Sequence, residues 1–337
     1  MRKVYYLFLV VLLFQGCSIN HPGKTGNGFT DNRYDSEAPT RSISKEIEFV
    51  SRTVRKLNVV AFYMTYELPP GAITDKSKLT RGNLIVKASA THVSNQSVSG
   101  TVTVIYKKEK LIGMLTCNHI VDFPDTVFDL YRSKVQGFRS VSVKVKQNNY
   151  VTGMPPGSDV EIIAQDKVND IAFLKQEIEV TGSNIKVLNY PLGSSKYFDW
   201  GSKVWIVGYP LGNLMVTEAI VSKPNSKNPS RFLTDAVFNQ GISGSPVIAL
   251  RDGVPNFELV GMAASTSAKS IYYLKPDNPE KFKQSDEPFV GEVVLANERL
   301  INYGVAYSVT IDEIRRFLQS NTTRLYDEGY DVESFFK

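Results

Sequence analysis

The sequence predicts an all-β fold, a barrel or a sandwich, and three features predict it. From about Asn58 to Val309 the chain is a series of short β-rich runs between turn residues: GTVTVIY, SVSVKVK, DVEIIAQD, DIAFLKQ, KVWIVGYPLG, MVTEAIVS, SPVIAL and FELVGMA. Many short strands at such spacing are the pattern of barrels and sandwiches. No βαβ alternation and no internal repeat breaks the series, and the helical periodicities lie at its two ends.

The chain opens with MRKVYYLFLVVLLFQGCSIN. Arg2 and Lys3 precede an apolar run, Val4 to Phe14, which is shorter than the roughly 20 residues that span a bilayer. Such a run fits the hydrophobic region of an export signal. The end of the run, FQGC, resembles a bacterial lipoprotein signal, although Phe14 and Gln15 depart from its usual residues. That resemblance makes 1–17 a signal, Cys17 the lipidated residue and membrane anchor, and the bacterial cell envelope, periplasmic or surface side, the place of action. Residues 18–43, rich in Gly, Asn, Ser, Asp and Pro, read as a flexible tether. In SISKEIEFVSRTVRKL, Ile47, Val50, Val54 and Leu57 recur at helical spacing, and Ser44 is the candidate cap. At the other end Thr310 and Glu313 have capping-box spacing, and Ile311, Ile314, Phe317 and Leu318 form one face. Residues 321–337 read as a polar tail.

Composition excludes several classes. The net charge of +5 is modest, and no dense basic block interleaved with aromatics occurs, so nucleic acid is not an expected partner. Of the two cysteines, Cys17 and Cys117, the second has no partner once the first carries lipid. A chain of 337 residues builds a core that needs no covalent staples.

The chemistry is sought first in DAVFNQGISGSPVIAL, where Gly241 and Gly244 bracket Ser243. One reading is a tight turn between strands. The other is a nucleophile in a backbone that closely approaches a substrate, with the amides of Gly241 and Ser243 aimed at an oxyanion. A serine nucleophile needs a base and a carboxylate that orients it. His21 lies in the tether, and His92 has no acid–base context. His119 sits where the apolar strand of LIGMLTCNHIVDFPD ends, and Asp170 directly precedes the run Ile171 to Leu174. The order His119, Asp170, Ser243 is that of chymotrypsin; an α/β-hydrolase needs a histidine after the serine, and none follows Ser243. Cys117 and His119 make a weak metal pair, and no H-E-x-x-H pattern occurs, so no metal or other cofactor is expected. Cys117 reads as a small buried apolar residue.

In this order LTCNHIVD, DIAFLK, VGYPLG, VTEAIVS, TDAVFNQGISGSPVI, LVGM and YGVAYSV resemble the HtrA-type (Deg) trypsin-like serine proteases, over roughly Ile47 to Leu318. The resemblance implies a two-barrel, chymotrypsin/trypsin-like fold with flanking helices. The first barrel, with the N-terminal helix, would occupy 44–195, and the second, with the C-terminal helix, 196–320. It implies a serine endopeptidase that works through an acyl-enzyme on polypeptide substrates, with Ser243 as nucleophile, His119 as base and then acid, and Asp170 holding the imidazole. A role in envelope protein quality control comes from the family alone, as does trimerisation through N-terminal segments, here Ile43 to Leu57.

Four positions set this chain apart. Ser245 stands where the family has a second glycine. Ile242 replaces an Asn or Asp, so it cannot pair with a new N-terminus. About 19 residues follow Leu318, too few for the family's PDZ module. Residues 266–302 form an insertion expected to shape or cover the specificity pocket. Val237, six before Ser243, is the candidate pocket floor, and its apolar side chain argues against cleavage after Lys or Arg. The competing readings are a catalytically inactive protease-like binding lipoprotein and a lipoprotein adhesin in which the cleft is incidental.

Overall fold

A computed structural model of the chain describes residues 30–131, 137–224, 229–276, 291 and 293–336. The chain divides into Met1–Asp31, of which residues 30 and 31 are described, and a compact unit Asn32–Lys337. The stretch read as a signal, Cys17 and His21 lie outside the described residues. Among those described, no helix is long and apolar enough to cross a membrane.

Strands dominate the unit, as the short alternating runs require. β1 (Val54–Glu67), β2 (Ala90–Lys108), β3 (Leu111–Thr116), β4 (Thr126–Leu130), β5 (Phe138–Val151), β6 (Glu161–Asp166) and β7 (Ile171–Glu177) form one antiparallel sheet, in the order β4-β5-β1-β2-β3-β7-β6. β8 (Lys203–Gly208), β9 (Met215–Lys223), β10 (Arg231–Thr234), β11 (Pro246–Leu250), β12 (Phe257–Pro276) and β13 (Val293–Thr310) close into a barrel. The architecture is the expected one, with two barrel-like sheets. They differ in closure. Only the second closes through ladders; in the first, Asn149 of β5 donates to Val160 O beside β6 at 2.8 Å. β11 is buried at every residue, which is why it reads as an unbroken apolar run, PVIAL.

The helices are few. α1 spans Ser44–Ser51, α2 Arg81–Lys87, α3 Asn118–Val121, α4 Ile311–Ser320 and α5 Thr322–Asp327. α4 follows its signals: Thr310 Oγ1 accepts from Glu313 N, and Ile311, Ile314, Phe317 and Leu318 are buried. α1 is shorter than its periodicity. Ile43, not Ser44, occupies the cap position, and Val54 and Leu57 belong to β1. Val50, Val54 and Leu57 are buried in the chain's own core.

Two polar-looking segments pack against the barrels. Within the stretch read as a tether, Tyr34 is buried in the second barrel and donates to Glu258 Oε2 at 2.8 Å. Within the stretch read as a tail, α5, the turn after it and a 3-10 helix at Val332–Phe336 bury Leu325, Tyr330, Val332 and Phe335. Tyr330 stands edge-on to Phe173, with ring centroids 4.8 Å apart, and donates to Ile112 O at 2.9 Å. Tyr330→Ala empties this site and is expected to cost about 3–5 kcal/mol; a shifted denaturation midpoint at unchanged slope would report it.

Candidate active site

His119 lies on α3, one turn beyond the end of β3. Its position is set from both sides. Asn118 is buried and accepts from Gln165 Nε2 at 2.9 Å, while Asp122, after α3, pairs with Lys167 at 2.8 Å. Asp170 sits in the turn from β6 to β7, with φ +63°, a left-handed conformation that aspartate tolerates. Asp166 shapes that turn by accepting from the amides of Val168 and Asn169, both at 2.9 Å. Asn169 then reaches Glu313 of α4 at 2.9 Å. Both oxygens of Asp170 are spent on His119: Oδ1 accepts from the His119 backbone amide and Oδ2 meets ring Nδ1, each at 2.8 Å. A proton on Nδ1 is thereby favoured, and the lone pair is left on Nε2.

Ser243 lies in the turn before β11, where the backbone demands its glycines. Gly241 has φ +103° and Gly244 φ +89°. A Cβ would lie 2.3 Å from Tyr209 O at the first and 2.0 Å from Thr101 O at the second. Thr101 of β2 grips the turn: its amide donates to Ser243 O and its hydroxyl to Gly241 O, each at 2.8 Å. Thr103 Oγ1 donates to Gly244 O at 3.2 Å. Leu211 N donates to Gln240 O at 2.7 Å. The N–H of a trans peptide points opposite to its carbonyl, so the Gly241 amide faces away from Leu211. Among the described residues neither this amide nor that of Ser243 has an acceptor.

His119, Asp170 and Ser243 line one open cleft of about 880 Å³ between the two sheets. The Ser243 hydroxyl donates to Ala264 O at 2.8 Å; it is not hydrogen-bonded to the imidazole. The ring is about half exposed (46%) and the carboxylate mostly shielded (13%). Cys117, directly below, is fully buried and its thiol contacts Ala263 O at 3.3 Å. Burial, and after it the nearby Asp170 carboxylate, pushes this thiol well above the ordinary range, so it stays protonated. Ligand atoms of Cys117, His119 and Asp170 lie within 4.8 Å of one another. With the thiol neutral and both carboxylate oxygens engaged, this set is built to orient an imidazole.

Residues 99–262 match the trypsin-like peptidase domain. The match covers just under half of the chain and includes His119, Asp170, Ser243 and the threonines that grip the nucleophile turn. Among solved structures, this chain is similar to the serine endoprotease from Yersinia pestis, at 15% identity and a TM-score of 0.43, over 84% of this chain and 67% of that one. No curated protein sequence matches it.

Around this cleft the remaining expectations fare unequally. Val237 is 53% exposed and does not line the cleft; its neighbour Phe238, buried, does. Burial alternates along this stretch, with Asp235 and Val237 exposed and Ala236 and Phe238 buried, so Val237 faces away from the cleft that Phe238 lines. Ile242 is buried in the second barrel's core, so an apolar contact holds the position of the usual Asn or Asp. Ser245 is buried and its hydroxyl has no partner among the described residues. Its bulk is met by Gly208, where a Cβ would lie 1.7 Å from Ser245 Oγ. Of the stretch read as an insertion, the described residues 266–276 and 293–302 belong to a β12–β13 ribbon whose root places Thr266 and Ile301 in the cleft. Arg231, also in the cleft, escaped the sequence reading, as did Thr101. Thr101→Val removes a buried hydroxyl that serves both Gly241 O and Tyr209 N. It is expected to lower unfolding free energy by about 1–3 kcal/mol in denaturant titration.

Proposed function

We propose that this protein is a serine endopeptidase of the HtrA type, exported and held at the envelope membrane by lipid on Cys17. It hydrolyses peptide bonds in unfolded or damaged polypeptides. One observation carries the reading: His119 is held through Nδ1 by Asp170 at 2.8 Å in the same cleft as Ser243.

The reaction follows from these groups. The Ser243 hydroxyl leaves Ala264 O and turns to Nε2 of His119; such contacts are often loose without substrate. Oγ attacks the peptide carbonyl as its proton passes to Nε2. The new oxyanion takes the amides of Gly241 and Ser243, a pair of which each member is worth about 3 kcal/mol. Nε2 returns the proton to the departing amine, and the acyl group stays on Oγ. Water, deprotonated by the same nitrogen, then releases the acid. Asp170 keeps Nδ1–H in place and stabilises the imidazolium.

Phe238 and Arg231 bias the cleft toward apolar residues before the cleaved bond, since a cation there repels Lys and Arg. A peptide library is expected to return apolar residues at that position, and a profile dominated by Lys and Arg would remove this specificity.

A binding protein on a protease scaffold is favoured by the hydrogen bond from Ser243 to Ala264 O. A fluorophosphonate probe separates the two. It is expected to label wild type, to miss Ser243→Ala, and to label His119→Ala slower by about 10³-fold or more. Wild type that remains unlabelled means a scaffold without hydrolysis.

A further inference from the structure

β12 and β13 do not end at the barrel. After Thr266 pairs with Ala306, residues 302–305 of β13 leave the ladder. Pairing resumes from Ala268–Ile301 to Pro276–Val293, as a two-stranded ribbon rising from the rim of the cleft.

One edge of this ribbon begins at the nucleophile. On that side β12 pairs with β11 up to Met262, and Gly244 and Ser245 complete the ladder at Ala263. Ala264 O holds the Ser243 hydroxyl. From Ser265 to Pro276 no described residue pairs with this edge. At about 3.3 Å per residue the open edge is about 40 Å long. Tyr272 (66%), Leu274 (67%) and Val293 (50%) are exposed on one face of the ribbon, and Tyr273 and Val294 on the other. An exposed, apolar strand edge is a template for another strand, and a two-stranded ribbon has little core of its own.

We propose that this edge is an extended binding site for the substrate polypeptide, which adds to β12 as a third strand between Ser265 and Pro276. The proposal rests on the peptidase reading and names what that site selects. Every ladder of the barrel is antiparallel, and antiparallel pairing is the more stable kind. A strand antiparallel to β12 runs from Pro276 toward Ala264, so residues on the amino side of the cleaved bond lie along the ribbon and the bond arrives at Ser243. A folded protein has no free strand of that length to offer. The ribbon therefore selects unfolded chain with apolar residues at alternate positions, opposite Tyr272 and Leu274.

The test uses Ser243→Ala protein and fluorescein-labelled peptides that share the residues around the best library cleavage site. They extend on its amino side by about 4 or about 12 residues, the longer one spanning the edge. The longer peptide is expected to bind about tenfold tighter or better, and Tyr272→Lys/Leu274→Lys is expected to make the two lengths bind alike. Equal affinity at both lengths, a gain that survives the lysines, or an equal gain from carboxyl-side extension overturns the proposal. So does a sedimentation change caused by the lysines without any length effect, since the edge would then join copies of this chain. Length-dependent binding alongside unlabelled wild type would uphold the edge while removing hydrolysis.

Discussion

The two halves of the site meet on one threonine. Thr101 of β2 donates its amide to Ser243 O and its hydroxyl to Gly241 O, and accepts Tyr209 N at 3.0 Å. Its carbonyl accepts Thr116 Oγ1 at 2.7 Å, three residues before His119. A single strand position in the first sheet thus fixes the height of the nucleophile turn in the second barrel and of the imidazole-bearing turn in its own. Because these atoms are buried, each lost partner leaves a polar group unpaired, at a cost of about 1–3 kcal/mol. That cost holds two separately built sheets in register.

Other contacts serve this seam from the outside. Glu313 of α4, itself buried, binds Asn169 and Ser230 at 2.9 Å each and pairs with Arg316. Asn169 is the neighbour of Asp170, so the C-terminal helix braces the carboxylate that braces the imidazole. The glycines of the nucleophile turn act differently, by removing atoms. Carbonyls of Tyr209 and Thr101 occupy the space a side chain would need at Gly241 and Gly244. Gly208 and Ser245 trade volume: the hydroxymethyl added at 245 fills what the glycine leaves empty at 208.

The parts of this arrangement that could be read from the sequence are those written locally. The nucleophile turn announces itself through two glycines around a serine, and Asp170 through its place before an apolar run. Thr101 could not be read that way. In GTVTVIY it is one β-branched strand residue among several, and its hydroxyl's partners lie 108 and 140 positions away. Residues 321–337 misled for a related reason. Leu325, Tyr330, Val332 and Phe335 sit across a short α-helix, a turn and a short 3-10 helix, so no single period connects them, although all four are buried. Val237 misled because a count along the chain carries no information about which of two neighbouring side chains faces the cleft.

The ribbon shows the same limit from the other direction. Its sequence contains apolar runs, YYL and VVL, of which alternate members would point inward in a closed barrel. Here the barrel has already used its positions, with β13 paired to β10 through Ala306–Val309 and β12 to β11 through Phe257–Met262. Among the described residues the surplus length of both strands pairs only with itself, so many of its apolar side chains are exposed and the outer edge of β12 has no paired strand. Exposed edges of this kind are normally blunted by charge, proline or brevity. On the β12 side only Lys269, Lys275 and Pro276 serve that end, and Pro276 stands at the far limit of the strand. An edge left open from the nucleophile outward, and closed only where the ribbon ends, is the geometry a cleft needs if its ligand is an extended chain that enters from one side.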